Sequence, residues 1–173
     1  APNYTVAPLV IDEKVLPRDI LTREITLTNT GSQPVTVYPS VNNISLMEGG
    51  VIQEFLPPSQ SDRTASLASW IEISRQGINL FAGETKTIPL TLRINAEPVP
   101  GTYHALIGFG NGRNRDVAEE QVKNGQAPST IVTVTFEDTK SEFLKLSKFI
   151  VSRFVSSNDN QAAVYTFTNP GEE

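Results

Sequence analysis

Apolar and polar residues alternate along most of this chain with the two-residue period that is typical of half-buried β-strands. The clearest example is residues 86–94, where Ile88, Leu90, Leu92 and Ile94 hold one parity without interruption. The same alternation occurs in residues 4–11, 21–28, 35–41, 68–74, 103–109 and 130–136, with a shorter candidate at 51–55. Turn-forming residues separate these segments at intervals of about 8–12 residues, a spacing that indicates an all-β protein.

These strands predict an immunoglobulin-like antiparallel β-sandwich over residues 1–138, and a closed barrel is the alternative. Pro8 places the first strand at the edge of a sheet, because proline has no N–H to donate to a ladder. The turn at residues 31–34 joins the strands at 21–28 and 35–41, and we expect these two strands to pair as a hairpin with one buried face.

The alternation leaves the position of Trp70 open. Within residues 68–74, Trp70 shares its parity with Glu72 and Ser74, whereas Ile71 and Ile73 share the other parity. Trp70 therefore either covers the edge of the core or lies on the surface.

A near-repeat links the two ends of the chain. Residues 25–31 (Ile-Thr-Leu-Thr-Asn-Thr-Gly) and 165–171 (Tyr-Thr-Phe-Thr-Asn-Pro-Gly) each run a strand into an Asn-x-Gly turn. We therefore expect residues 139–173 to be the start of a second β-sandwich module that is incomplete in this chain. Two strands cannot bury a core alone. We favour completion by further chain beyond Glu173; the alternatives are packing back onto the first sandwich, or strand exchange or self-association through residues 142–173.

The composition indicates which kinds of binding partner are not expected for this protein. Hydrophobic residues make up 38% of the chain, which suffices for a core. The 14 basic residues are scattered singly among 19 acidic ones, so nucleic acid is not an expected partner. The sequence has no cysteine, which removes disulfides and thiolate sites. No apolar run approaches the roughly 18 residues of a membrane helix, so we expect contact with a membrane only through an anchor outside this sequence.

The first residues bear on location. The chain begins with Ala1 and Pro2 and resembles the mature end that remains after a signal peptide is cleaved at a small residue. Together with the β-rich pattern, this start predicts an exported protein at the cell surface or in the periplasm.

Candidate catalytic residues are few. His104 is the only histidine, so a site with several histidine ligands cannot form, and within a strand a lone histidine is more often structural. The glycine-rich residues 108–112 lack the spacing and the helix of a phosphate loop and indicate the flexible start of a loop. We expect a protein that is not an enzyme and that has no metal or cofactor.

A polar loop at residues 110–129 is longer than the usual connection, and within it residues 116–123 could form two helical turns. Asn111, Arg113, Asn114 and Arg115 lie at its start and are the candidate binding residues, since such side chains can grip a polar or anionic polymer such as a glycan. A solvated loop is the other interpretation of the same residues.

Four segments together carry a resemblance: residues 6–11, 23–31, 82–90 and 99–108. Their order and turn motifs resemble the immunoglobulin-like N-terminal module of bacterial cell-surface proteins, similar to the peptidoglycan-binding module of WxL-interacting proteins and, more distantly, to periplasmic pilus chaperones. The resemblance implies an envelope protein whose first sandwich is followed by a second. No chaperone site residue is carried over, because no basic pair or alternating edge motif matches.

The sequence thus supports two hypotheses about function. The first is a bacterial cell-surface or envelope module that has no enzymatic activity and binds cell-wall glycan or another surface protein. The alternative is a structural or assembly protein, like a pilus chaperone or a filament subunit, that acts through pairing of β-edges.

Overall fold

Two β-sheets pack face to face in the computed structural model, which describes residues 2–57 and 62–136. In chain order the strands are β1 (Tyr4–Ala7), β2 (Val10–Val15), β3 (Ile20–Asn29), β4 (Val35–Leu46), β5 (Ile52–Leu56), β6 (Ile71–Ile73), β7 (Ile78–Leu80), β8 (Thr85–Arg93), β9 (Gly101–Asn111) and β10 (Ser129–Phe136). Two helices, α1 (Leu67–Trp70) and α2 (Arg115–Lys123), and a single 3-10 turn (Arg63–Ala65) complete the described elements.

The first sheet has four strands in the order β1-β3-β8-β6, and the second has six, with β2-β10-β9-β4-β5 side by side and β7 also paired with β4. The prediction of an all-β sandwich is therefore confirmed, and the two sheets are open rather than closed into a barrel. One pair departs from the antiparallel rule, because β2 runs parallel to β10. The second module predicted at residues 139–173 lies outside the described residues.

The segment predicted as one edge strand is two strands that belong to different sheets. β1 pairs antiparallel with β3, and β2 pairs with β10 on the other side of the sandwich. Pro8 separates them because it cannot donate to a ladder. The backbone at the crossing is held by β10, where Thr130 Oγ1 donates to Pro8 O at 2.8 Å and Ile131 N donates to Leu9 O at 2.9 Å.

The predicted hairpin between the second and third strand segments is wrong. β3 pairs with β1 and β8, whereas β4 pairs with β9, β5 and β7, so the connection between them crosses from one sheet to the other. Asn29, fully buried, holds this crossing: its Oδ1 accepts from Gly31 N at 2.9 Å, and its Nδ2 donates to Gln33 O at 2.8 Å and to Leu80 O at 3.1 Å. Turn residues reverse the chain, but they do not specify which sheet the next strand joins.

The core lies between the sheets and follows the predicted alternation. The apolar residues of β8 that share one parity are all buried, and they face the buried Ala105, Ile107 and Phe109 of β9. Tyr4 is buried among them and donates from its hydroxyl to Phe109 O at 2.5 Å. Burial raises the pKa of Tyr4 to about 12, so this residue stays a neutral donor across the physiological range.

Trp70 belongs to the core. It is only 3% exposed, its Nε1 donates to Arg63 O at 2.6 Å, and its ring meets Tyr103 edge-on with centroids 5.4 Å apart. The strand predicted over residues 68–74 is wrong in its first half, because Leu67–Trp70 is the short helix α1 and only Ile71–Ile73 is a strand. Strand parity therefore does not apply to Trp70.

Helix α2 packs on the outer face of the six-stranded sheet, against glycines of β9. A Cβ at Gly110 would lie 2.0 Å from Ala118 O, and one at Gly108 would lie 2.3 Å from Val122 Cγ1. These glycines are strand residues and not a flexible loop start, which corrects the sequence interpretation. They leave the space that lets α2 approach the sheet directly.

Candidate partner-binding surface

A second, smaller apolar cluster lies on the outer face of the six-stranded sheet, beside α2. Ile44, Leu106 and Val122 are buried in it. Its partly buried members are Leu46, Ile52, Phe55, Ala127 and Ile131. Strand pairing brings them together, because Ile44 is opposite Phe55 and Leu106 is opposite Ile131. Both faces of β9 are therefore apolar, although an antiparallel sheet usually turns a polar face to water.

A groove of about 570 Å³ runs along this cluster. Ile52 and Phe55 of β5 form one wall, Leu106 and Ile131 belong to the sheet beneath, and Leu9 and Val10 form one end. Leu9 is 68% exposed and Val10 is 57% exposed. Contiguous apolar surface of this kind is typical of an interaction site. We call this surface the outer groove.

The sequence contains a signal for the outer groove in the apolar residues of β9 and β10. Leu106 and Ile131 are apolar at the parity opposite to the main core residues of their strands. A strand that is apolar at both parities is covered on both faces. The paired apolar exceptions on β9 and β10 therefore predict a second apolar layer, and α2 supplies part of it through Val122, which clusters with Leu106.

The sheet edges differ in how they are protected. At β2, Glu13 has the parity of the core residues and forms an ion pair with Arg23 of β3, with Arg23 Nε 2.7 Å from Glu13 Oε2. The hydrogen bond to Glu13 raises the pKa of the Arg23 guanidinium. An inward-directed charge of this kind discourages pairing with another chain. β5, by contrast, pairs only with β4 among the described strands.

The four predicted binding residues lie between the end of β9 and the start of α2. Asn111 ends β9 and its N–H donates to Gln121 Oε1 at 3.0 Å. Asn114 caps α2, accepting from Val117 N at 3.0 Å. The position of the predicted helix is thus confirmed, beginning one residue earlier at Arg115. Arg113 is exposed before the helix.

Arg115 connects α2 to the sheet. Its Nη1 donates to Pro39 O at 3.1 Å, its guanidinium lies 5.8 Å from the centre of the Tyr38 ring, and Glu119 Oε1 is 3.7 Å from Nη1. Asn114 and Arg115 therefore have clear roles in holding α2. A ligand-binding role for the four loop residues remains a prediction.

A second cleft of about 490 Å³ lies at one end of the sandwich and includes Asn111. Four side-chain amides line it: Asn3, Asn111, Gln121 and Gln126. We call it the amide cleft. Side-chain amides present both donors and acceptors, so this cleft suits a neutral ligand rich in hydroxyl groups.

His104 on β9 is paired with Thr133 on β10. Its Nδ1 lies 2.9 Å from Thr133 Oγ1 across the β9–β10 pair. Within residues 2–57 and 62–136, no three His, Asp or Glu side chains come together in a group that would hold a metal ion. The same residues include no helix long and apolar enough to cross a membrane.

No family model and no curated protein matches this sequence. Similar solved structures include the class 5 fimbriae chaperone CfaA, with 11% identity and a TM-score of 0.50 over 79% of this chain and 57% of the chaperone. A chaperone–tip adhesin complex of CFA/I fimbriae biogenesis gives 10% identity and a TM-score of 0.51 over 79% and 59% of the two chains.

A family 123 glycoside hydrolase from Clostridium perfringens is also similar, with 11% identity and a TM-score of 0.51 over 77% of this chain and 26% of the hydrolase. At these identities the likeness shows a common fold, an immunoglobulin-like β-sandwich. The chain spans little more than half the length of the two fimbrial chains.

Proposed function

We propose that this domain is an assembly module of the bacterial cell envelope that has no enzymatic activity and binds a partner protein at the outer groove. The observation that carries this proposal is the apolar surface around the groove, formed by the exposed Leu9 and Val10 and the partly buried Phe55. Burying such surface favours association. Among the described residues of the lining, Glu54 and Lys123 are the charged ones, and this low charge suits an apolar partner surface.

The similar solved structures also favour a protein as the binding partner. The fold is shared with fimbrial chaperones, one of which is described in complex with a tip adhesin. The assembly hypothesis from the sequence is therefore better supported than glycan binding. The envelope location rests on the resemblance of residues 6–11, 23–31, 82–90 and 99–108 to surface-protein modules.

Site-directed photo-crosslinking in the native host tests this proposal. A photo-reactive residue at Gln53 or Ser129, both in the groove lining, should give one discrete protein adduct, whereas the same residue at the exposed Gln76 should not. Adding Val10→Lys should abolish the adduct, and Val99→Lys, at a similarly exposed site, should leave it intact. Equal labelling at Gln76, or an adduct that survives Val10→Lys, contradicts the proposal.

The amide cleft supports a second candidate function, the binding of cell-wall glycan. Its four amides can exchange hydrogen bonds with sugar hydroxyls. If glycan binds there, the protein should sediment with purified peptidoglycan, and the double variant Asn111→Ala and Gln126→Ala should stay in solution. Gln53→Ala, in the outer groove, should sediment like the wild type. Sedimentation that is unchanged in the double variant rules out this cleft.

A further inference from the structure

The six-stranded sheet is split between β4 and β9. These strands pair from Val37 opposite Asn111 to Asn43 opposite Ala105, and there the ladder stops. Both strands continue: β4 remains paired with β5, and β9 remains paired with β10 as far as Gly101. A cavity of about 350 Å³ opens where they separate. We call this cavity the slot.

The slot is bordered by a strand on each side. On the β4 side lie Ile44, Ser45 and Leu46, and on the β9 side lie Thr102, Tyr103 and His104. If the pairing of β4 with β9 continued in the same register, Leu46 would be opposite Thr102, but the two strands are not paired at this point. The gap is thus between two formed strands and not at the outside of the sheet.

The hydrogen-bond alternation fixes the direction of the main-chain groups on β9. Phe109 N donates to Pro128 O at 3.0 Å, so the residues of β9 at odd positions exchange bonds with the β10 side. Thr102, at an even position, directs its N–H and C=O towards β4. Its side chain lies next to that of its β10 partner on one face of the sheet, with Thr102 Oγ1 3.3 Å from Thr135 Oγ1. No described strand pairs with the main chain of Thr102 in the slot.

We infer that the slot binds an extended segment of the partner protein, whose main chain adds to β9 at Thr102 as a further strand between β9 and β4. This inference rests on the proposed function, since it specifies how the partner is held. Unpaired strand groups next to an apolar surface are the requirement for binding by strand addition. Ile44 and Leu46 belong to the same apolar cluster as the outer groove, so one partner can contact both sites.

The slot lining defines the chemistry of the segment. Ile44, Leu46 and Leu56 are apolar, and none of the described residues that line the cavity is Asp, Glu, Lys or Arg. An ionised side chain entering it would lose hydration without gaining a counter-charge. The bound segment is therefore uncharged over the residues that enter the slot, with apolar side chains at alternate positions.

Thr102→Pro tests the main-chain contact directly. This substitution removes the N–H that faces the slot and leaves every β9 bond to β10 available, because Thr102 does not exchange bonds with β10. The matched control is Thr102→Ala, which removes only the side chain. The probe is the uncharged peptide acetyl-Val-Thr-Val-Thr-Val-amide, titrated into the isotope-labelled 173-residue chain and followed by amide NMR.

The peptide should shift the amides of Ile44, Leu46 and Thr102 and slow hydrogen exchange at Thr102. Thr102→Ala should bind it as the wild type does, and Thr102→Pro should bind it about fivefold more weakly, the effect of one backbone hydrogen bond. If Thr102→Pro does not fold, a peptide with methylated backbone nitrogens replaces it, and this peptide should fail to bind the wild type. The inference is overturned if Thr102→Ala and Thr102→Pro bind the peptide equally, or if the methylated peptide binds. It is also overturned if the chemical-shift changes map elsewhere or if the peptide does not bind at all.

The two proposals fail separately. If the slot does not bind the peptide but the adducts at Gln53 and Ser129 still form, strand addition at Thr102 is excluded. Partner binding at the outer groove is then still supported. Loss of the position-dependent adducts would instead remove the proposed function itself.

Discussion

Gly110→Ala is expected to lower the free energy of unfolding by about 3 kcal/mol and to displace helix α2 from the sheet. The new methyl group would lie 2.0 Å from the carbonyl oxygen of Ala118 and 2.6 Å from its carbon. Both atoms are backbone, so no side-chain rotation relieves the overlap and the helix itself must move. Urea unfolding gives the loss of stability, and amide chemical shifts of α2 report the displacement.

Gly108→Ala provides the matched comparison. Its methyl group would meet the side chain of Val122, with the nearest atom at 2.3 Å, and a shorter side chain removes that contact. The double variant Gly108→Ala and Val122→Ala should therefore lose less free energy of unfolding than the sum of the two single losses. The difference in a double-mutant cycle should be about 1 kcal/mol. A Gly110→Ala protein as stable as the wild type would contradict the close packing of α2 on β9.

Asn29→Asp is expected to destabilise the domain by at least about 3 kcal/mol at neutral pH. The side chain is fully buried, and its amide group donates to Gln33 O and Leu80 O. A carboxylate cannot donate, so the buried Leu80 O and the part-buried Gln33 O both lose their donor, and an uncompensated charge replaces a neutral group. Thermal and urea unfolding between pH 4 and pH 8 measure the effect.

The loss should depend on pH with a definite sign. Burial without a cation favours the neutral acid, so the introduced carboxyl binds its proton more tightly in the folded than in the unfolded state. The folded variant then holds more protons, and its stability falls as pH rises above about 4, the pKa of an unfolded aspartate. Asn79→Asp, at an exposed position on β7, should show neither effect. A pH-independent loss at position 29 would argue against its burial.

The sequence predicts correctly those strands in which the apolar–polar alternation has one physical cause, the burial of one face. β8 alternates strictly from Ile88 to Leu92 because one face packs on the core, so its parity identifies the buried residues. β7 was not predicted, since three residues between turns carry too little periodicity. The hairpin was mispredicted because the turn at Gly31 is compatible with pairing or with crossing between sheets. Only the distant contact from Asn29 to Leu80 selects the crossing.

The candidate sites depend on relations between distant segments. The outer groove needs β5 on the same sheet as Leu106 and Ile131, and the slot exists because a ladder ends at Asn43 although both strands continue. Neither property is encoded in the periodicity of one strand. The glycines of β9 show the same limit: their composition predicts a loop, whereas the reason for Gly108 and Gly110 is the helix that packs on them and that follows later in the sequence.

The division of the first segment between the two sheets has a consequence for biosynthesis. β2 lies against β10, with Val10 opposite Ile131, so a strand made near the beginning waits for one made more than a hundred residues later. Closing so long a loop is entropically costly and slows folding. A nascent chain cannot complete the six-stranded sheet until Phe136 has left the ribosome, and until then β2 must remain unpaired with β10 or be shielded by a chaperone.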